Sequence, residues 1–254
     1  MKRTGLVVFS LLLAALFALP LAAAEYEKLL LPIAPSVVHC ALHSKYDTRL
    51  VVYNASGRAI DKFCSDESCS GLAADTGTVV EGQHVPVPIP RFLYVPKEVV
   101  DNMEMTLVVE SSELTMPEAR SYTELPVVRE RDFREGKIQI VGVRMDDGFR
   151  KTLRLYGLDG STPTAVRVRV FDLTSSIPAY EHEYSMMPQA GLDANGHEIS
   201  PTFNMECDLS DYVGNYEHPV RVEIESMTPG KRIWGFVSVT NNVTQHFYTV
   251  VPRN

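Results

Sequence analysis

The side chains of this 254-residue chain that are able to do chemistry are four cysteines, seven histidines and a surplus of carboxylates, with 32 Asp and Glu against 24 Lys and Arg. The cysteines are Cys40, Cys64, Cys69 and Cys207. Cys64-Ser-Asp-Glu-Ser-Cys69 brackets four polar residues, a spacing that suits a local disulfide closing a loop tip. The competing chemistry is a redox or metal site. Redox dithiols favour two intervening residues, and structural zinc needs two further ligands at local spacing, which the neighbouring sequence lacks. Cys40 and Cys207 lie in different halves of the chain, and either a bridge between them or two buried thiols is compatible with their positions.

The histidines are His39, His43, His84, His182, His197, His218 and His246, and none belongs to a compact zinc signature. His39 and His43 are four apart, but Pro35 and the extended pattern around them argue against a shared helix face. In Asp193-Ala-Asn-Gly-His-Glu198 the oxygens of Asp193, Asn195 and Glu198 invite calcium, yet the spacing misses the EF-hand loop and fits a polar turn at Asn195-Gly196. Serine-nucleophile and phosphate-loop motifs are absent. A glycosidase pair or a triad is defined by geometry, which sequence spacing does not supply. The expectation is a protein with no catalytic residue, no cofactor and no metal site readable in its sequence.

The elements that must position these side chains are strands. Val166, Val168 and Val170 alternate with Arg167 and Arg169, and Val220, Val222 and Ile224 alternate with Arg221, Glu223 and Glu225. A period of two marks strands with one buried face. Further runs of this kind are Lys28–Ile33, Thr48–Asn54, Met105–Glu110, Tyr122–Val128, Lys137–Val143, Arg232–Thr240 and His246–Val251. Turn chemistry separates them at Asn54-Ala55-Ser56-Gly57, Asp146-Asp147-Gly148, Asp159-Gly160 and Pro229-Gly230. Pro86, Pro88 and Pro90 alternate, as in an extended edge or connector. Short strands punctuated by turns predict an all-β fold of antiparallel β-sandwiches. Tyr180, His182 and Tyr184 share one strand face, and so do Trp234 and Phe236; such rows serve as core, as a contact between domains or as a sugar platform.

One pairing is explicit. Strands over Ala165–Phe171 and Ala179–Ser185 are expected to pair antiparallel, with Val168 opposite His182, Arg167 opposite Glu183 and Arg169 opposite Glu181. In that register one face is apolar and the other is a ladder of opposite charges. His182 then lies on an inward or half-buried face.

The N-terminus sets the compartment. A basic start at Lys2-Arg3, an apolar run over Leu6–Leu21 and the small residues Ala22-Ala23-Ala24 form the three-part pattern of a signal peptide, bacterial in type, ending at residue 24. The apolar run is short for a membrane anchor. Loss of Lys2 and Arg3 with the leader takes the formal charge from −8 to −10. An acidic, exported chain is a poor partner for nucleic acid or an anionic membrane surface. Secretion or residence in the periplasm is expected, with no membrane span after cleavage. The sequons at Asn54 and Asn242 read as turns.

The chain also resembles itself. Lys28–Ile33 followed by Thr48–Tyr53 is echoed by Lys137–Gly142 followed by Thr152–Tyr156, and Leu107–Ser111 by Val222–Ser226. Arg129–Glu135 places six charges in seven residues between the halves, where a boundary and preferential proteolysis are expected. The predicted organisation is a leader over 1–24 and two tandem immunoglobulin-like sandwich domains over 25–132 and 133–254. The antibody-type core is absent, since the single tryptophan is Trp234.

The stretches Arg91–Pro96, Thr123–Phe133 and Trp234–Asn242 resemble a group of uncharacterised secreted bacterial proteins with paired all-β, immunoglobulin-like domains. The resemblance implies a secreted β protein and carries over no functional residue. Together these readings favour a non-enzymatic binding or structural protein that contacts a protein or glycan partner through loops or strand edges. The alternatives are an extracellular or periplasmic hydrolase acting on polysaccharide and a periplasmic pilus-type chaperone. The latter requires basic residues in an interdomain cleft.

Non-reducing peptide mapping of the exported protein is expected to link Cys64 to Cys69. A fragment joining Cys64 to Cys40 or Cys207 would reject the local loop.

Overall fold

The computed structural model describes residues 25–39, 44–64, 70–87, 89–113, 116–189, 191–206, 209, 216 and 218–252. The leader over 1–24 and Cys40, Cys69 and Cys207 lie outside the described residues. The fold is all-β. Its strands are β1 (Tyr26–Leu31), β2 (Ser36–His39), β3 (Ser44–Asn54), β4 (Gly77–Val80), β5 (Gln83–His84), β6 (Arg91–Pro96), β7 (Met103–Glu113), β8 (Met116–Pro126) and β9 (Val128–Arg129). They continue with β10 (Arg134–Glu135), β11 (Lys137–Val143), β12 (Phe149–Gly157), β13 (Thr164–Asp172), β14 (Tyr180–Met186), β15 (Thr202–Glu206), β16 (Val220–Ser226), β17 (Arg232–Asn241) and β18 (Phe247–Val250). Among the described residues no helix is long and apolar enough to cross a membrane.

Four sheets result. Sheet I has the order β6-β1-β9, and sheet II the order β5-β2-β3-β7-β8 with β4 also on β3. Sheet III has the order β10-β17-β12-β15 with β18 on β17, and sheet IV the order β11-β16-β13-β14. The ladders are antiparallel except the short β2–β5 pair. Among the described residues no strand ladder joins residues before 132 to residues after it. The echoed segments do not hold equivalent places. β3 pairs with β7, whereas their counterparts β12 and β16 lie in different sheets.

Alternation explains which side chains go inside. In β13 the valines 166, 168 and 170 are buried between partly exposed arginines, and in β11 Ile138 and Ile140 are buried between exposed Lys137, Gln139 and Val141, with Val143 buried beyond a register shift. These residues meet Leu153, Leu155, Ile233, Val237 and Val239 of sheet III in one core. A second core gathers sheets I and II around Leu29, Leu30, Leu50, Val52, Leu107 and Leu125. Tyr156, Leu158, Trp234 and Phe236 belong to this second core although they come from the C-terminal half. Sheet III is therefore buried on both faces, and β17 reads as an almost continuous buried run rather than an alternating one.

Tyr156 joins the halves. Its ring is fully buried, stacked on Phe203 at 5.3 Å and tilted against Trp234 at 5.9 Å. Its hydroxyl donates to the Pro32 carbonyl at 3.0 Å, just beyond β1. A buried phenol keeps its body in the core and must find a partner for its oxygen. Burial pushes this phenol well above its ordinary pKa, against the opposite pull of the Arg154 guanidinium.

The charged run Arg129–Glu135 is not the exposed joint that its composition suggests. Arg129 sits in β9 and holds Glu27 through two guanidinium nitrogens and Asp101 through a third. Glu130 pairs with Arg232 at 2.7 Å, Phe133 is buried, and β10 pairs with β17. Arg129 and Glu130 are thus pinned to packed elements, while Arg131, Arg134 and Glu135 remain exposed.

The β13–β14 register is as expected: Val168 faces His182, Val166 faces Tyr184, Val170 faces Tyr180, and Arg167 and Arg169 face Glu183 and Glu181. The placement of His182 differs. It is exposed, because β14 is the edge strand of sheet IV, although its ring still lies between those of Tyr180 and Tyr184. The two tyrosine hydroxyls are hydrogen-bonded at 2.8 Å. The charged face extends into β16. Glu223 is only 4% exposed and accepts from Arg169 at 2.7 Å and Lys137 at 3.0 Å. Burial alone would raise the Glu223 carboxyl; Lys137 and Arg169 outweigh it and hold the group below its ordinary pKa.

Two outcomes follow for stability. Tyr156→Phe leaves the Pro32 carbonyl buried and unpaired, and urea unfolding should show a loss of about 1–3 kcal/mol with the fold retained. An unchanged midpoint would show that the bond contributes nothing. For Glu223, a lowered folded pKa means that its contribution is present above the unfolded value of about 4.3 and is lost as pH falls through the folded one. The urea midpoint should therefore drop less steeply between neutral and acidic pH in Glu223→Gln than in the native protein. Equal slopes would reject the assignment.

Candidate functional site

The double burial of sheet III leaves a gap. Beyond the Tyr156 row, the face of β12 and β17 that meets sheet II is not fully packed, and a cavity of about 440 Å³ lies between the halves. The ladders set its floor in rows. Arg154 is flanked by Met205 and Phe236, Thr152 lies beside Ser238, and Arg150 lies beside Thr240, which faces Phe247 across the β17–β18 ladder. Sheet II supplies the opposite wall with Val38, Tyr46, Thr48, Val109 and Leu125, while Ile33, His39, Pro86 and Val87 complete the lining. Tyr46 packs edge-on against Phe247 at 5.7 Å, and Thr123 donates to the Phe247 carbonyl at 2.6 Å, so β18 closes one side.

The lining is apolar and hydroxylic apart from His39 and two arginines, and it contains no carboxylate. Arg150 donates to the side-chain oxygen of Gln245 at 3.1 Å, and Gln245 is itself buried at positive φ. Arg154 lies against the Tyr156 phenol, and its Nε is buried with no hydrogen-bond partner. Among the described residues neither arginine forms an ion pair. Both guanidiniums are thus held by neutral groups, and their charge is not cancelled. A cation in a partly buried apolar cleft interacts more strongly with an incoming anion than one on the open surface.

A second hollow, of about 330 Å³, lies on the other side of Tyr156's strand end and is polar. Its charges are all matched: Lys28 with Glu198 at 2.6 Å, Arg232 with Glu130 at 2.7 Å, and Lys231 with Asp159. Burial alone would raise the Asp159 carboxyl; Lys231 with Ser161 and Thr162 outweighs it and holds the group far below its usual range. This region ties the halves together and offers no free group to a ligand.

The residues singled out in the sequence are scattered. Cys64 is buried in the core of sheets I and II, and Cys69 lies outside the described residues. His39 and His84 meet edge-on at 5.6 Å, whereas His43 lies outside the described residues. Asp193 accepts from the backbone of Asn195 and His197 and from the His197 ring at 3.2 Å, while Glu198 turns away to Lys28. Their carboxylates do not converge, and the segment is the polar turn that Asn195-Gly196 suggests. His197 stacks on Tyr94 at 4.4 Å and so docks this turn on sheet I. Trp234 and Phe236 are buried in the contact between the halves, which removes them as an open sugar platform. The Asn54 amide is fully buried and bonded to the Arg58 and Ala73 carbonyls, so this sequon is a turn fastener.

Arg150 and Arg154 were not legible as site residues. In Phe149-Arg-Lys-Thr-Leu-Arg-Leu-Tyr156 they occupy alternate positions opposite Leu153 and Leu155, the pattern of an ordinary solvent face. The available signal was Tyr156 on that same face, a large aromatic where a solvated strand has no need of one.

No protein-family model matches the chain, no curated protein is found similar to it, and no solved structure matches its fold.

Proposed function

We propose that this chain is a secreted or periplasmic, non-enzymatic binding protein that holds its ligand in the cleft between its halves. In this reading residues 1–24 are a cleaved leader, and 25–132 and 133–254 are tandem immunoglobulin-like sandwich domains. The observation that carries it is the pair Arg150 and Arg154, both lining an apolar cleft and both held by neutral partners. A structural arginine at a packed interface is normally matched by a carboxylate, because an uncompensated buried charge is costly. Leaving two unmatched is reasonable where a ligand completes the site. The cavity volume falls in the range of about 300–1,000 Å³ usual for small-molecule sites.

The polysaccharide hydrolase reading finds no support in this cleft, whose lining lacks the paired carboxylates that glycoside hydrolysis uses. The pilus-type chaperone reading gains one observation, the basic residues between the halves, and would place a partner polypeptide there. The Cys64–Cys69 bridge belongs to the same proposal, with Cys64 buried in the core of sheets I and II.

The test uses a neutral, environment-sensitive dye such as Nile red with the full exported chain. Bound-dye emission is expected from the native protein and is expected to fall by about tenfold in Val109→Trp, which fills the cleft wall, while the free energy of unfolding changes by no more than about 1–3 kcal/mol. Dye emission unaffected by the plugged wall would sink the cleft as the binding site.

A further inference from the structure

We infer that the cleft is built for a small amphipathic carboxylate, an apolar chain or ring system with one anionic head, and that Arg154 receives the head. This deepens the reading of the cleft as a ligand site and rests on it.

The argument begins with what the walls are able to offer. The cleft is bounded mainly by the faces of two sheets, with the edge strands β8 and β18 closing one side. β12 lies between β15 and β17, and β3 and β7 lie between neighbours on both sides. Ladders on both sides already use the backbone groups of β3 and β7 and, over Leu153–Gly157, of β12, so an extended polypeptide lying on these faces finds no row of free donors and acceptors to pair with. A ligand meets side chains alone. Those of Val38, Val109, Leu125, Phe236 and Phe247 are apolar and demand an apolar body.

The polar partners are equally selective. With two cations and no carboxylate in the lining, a cationic ligand is repelled and a neutral one leaves both charges unmatched. The two arginines are four residues apart on one strand, which separates their backbones by about 13 Å. They are not equivalent. Arg150 sits in the outer row, and its guanidinium is occupied by Gln245. Arg154 sits in the inner row between Met205 and Phe236, and its Nε is buried with no partner. Arg150 is engaged by the Gln245 amide, whereas Arg154 has no carboxylate or amide partner among the described residues, and its planar guanidinium suits a carboxylate held by two parallel bonds. The head therefore belongs at Arg154. The body extends along the Thr152 and Arg150 rows under Val109 and Phe247.

The single tryptophan provides the readout. Trp234 contacts Phe236 at 5.7 Å, and Phe236 lines the cleft, so occupancy should alter its emission. The full exported chain is titrated with dodecanoate below its micelle concentration, with dodecanol and with dodecyltrimethylammonium, and the emission titrations are checked by calorimetry. Dodecanoate is expected to bind tightest. Arg154→Gln is expected to weaken it by about tenfold or more, from loss of a charge-assisted pair. Arg150→Gln should weaken it less, and Arg154→Lys should fall between native and Arg154→Gln. The lysine variant keeps the charge, so it serves as the control if the glutamine variant fails to fold. Dodecanol binding as tightly as dodecanoate, with no effect of Arg154→Gln, would overturn the anionic class while leaving the cleft as a site for neutral ligands. Tighter binding of a polypeptide, measured with an extended acidic peptide, would overturn the small-ligand class in favour of the chaperone reading. No alkyl compound bound, together with Nile red emission that Val109→Trp abolishes, would reject this ligand class alone. No alkyl compound bound and dye emission unaffected by that variant would remove both the ligand class and the cleft reading.

Discussion

The structure depends on one constraint, that sheet III is buried on both faces. Leu153, Leu155, Val237 and Val239 point into the core shared with sheet IV, while Tyr156, Trp234 and Phe236 point into the core of sheets I and II. An aromatic cluster of this size removes a large apolar area from water at the contact. The Tyr156 hydroxyl adds direction, because its bond to Pro32 fixes where β1 ends relative to β12. The Lys28–Glu198 pair, the stacked Tyr94 and His197 and the bond from the Phe92 amide to the Ile199 carbonyl continue the contact at one side. β18 against β8 continues it at the other.

The cleft follows from the same constraint. Two twisted sheets that touch closely at one end diverge at the other unless side chains grow to fill the difference. Here the filling residues shrink along the strands, from Tyr156 and Trp234 to Thr152 and Ser238, and the long side chains of Arg154 and Arg150 line the gap. The cavity is thus set by side-chain volume along β12 and β17, and its charge by two residues on one strand.

Charge is distributed differently elsewhere. On the outer face of sheet IV two arginines each meet several carboxylates, Arg167 with Glu181, Glu183 and Glu225 and Arg169 with Glu181, Glu223 and Glu225. Exposed pairs of this kind contribute about 0–1 kcal/mol each, and the apolar face sets the register. The polar hollow beside Lys231 is likewise neutralised pair by pair. In the cleft, by contrast, the lining supplies two arginines and no carboxylate.

Much of the secondary structure was legible in the sequence, and for a local reason. Period-two alternation is a property of neighbouring residues, so β11, β13, β16 and the β13–β14 register could be read from valines, arginines and glutamates alone. The polar turn at Asp193–Glu198 and the fastening turn at Asn54 follow from side chains that bond their own backbone. What remained hidden was every feature that needs two distant segments. The sequence marks one face of β12 as polar; only the packing of sheet II over that face turns Arg150 and Arg154 from a solvated surface into a cleft lining. Likewise, only the position of β14 at a sheet edge exposes His182, and only the arrival of Glu27, Asp101 and Arg232 turns the Arg129–Glu135 run from a loose joint into a pinned one. Alternation tells a strand which of its faces are alike; which face is buried, and against what, is decided by the partner that covers it.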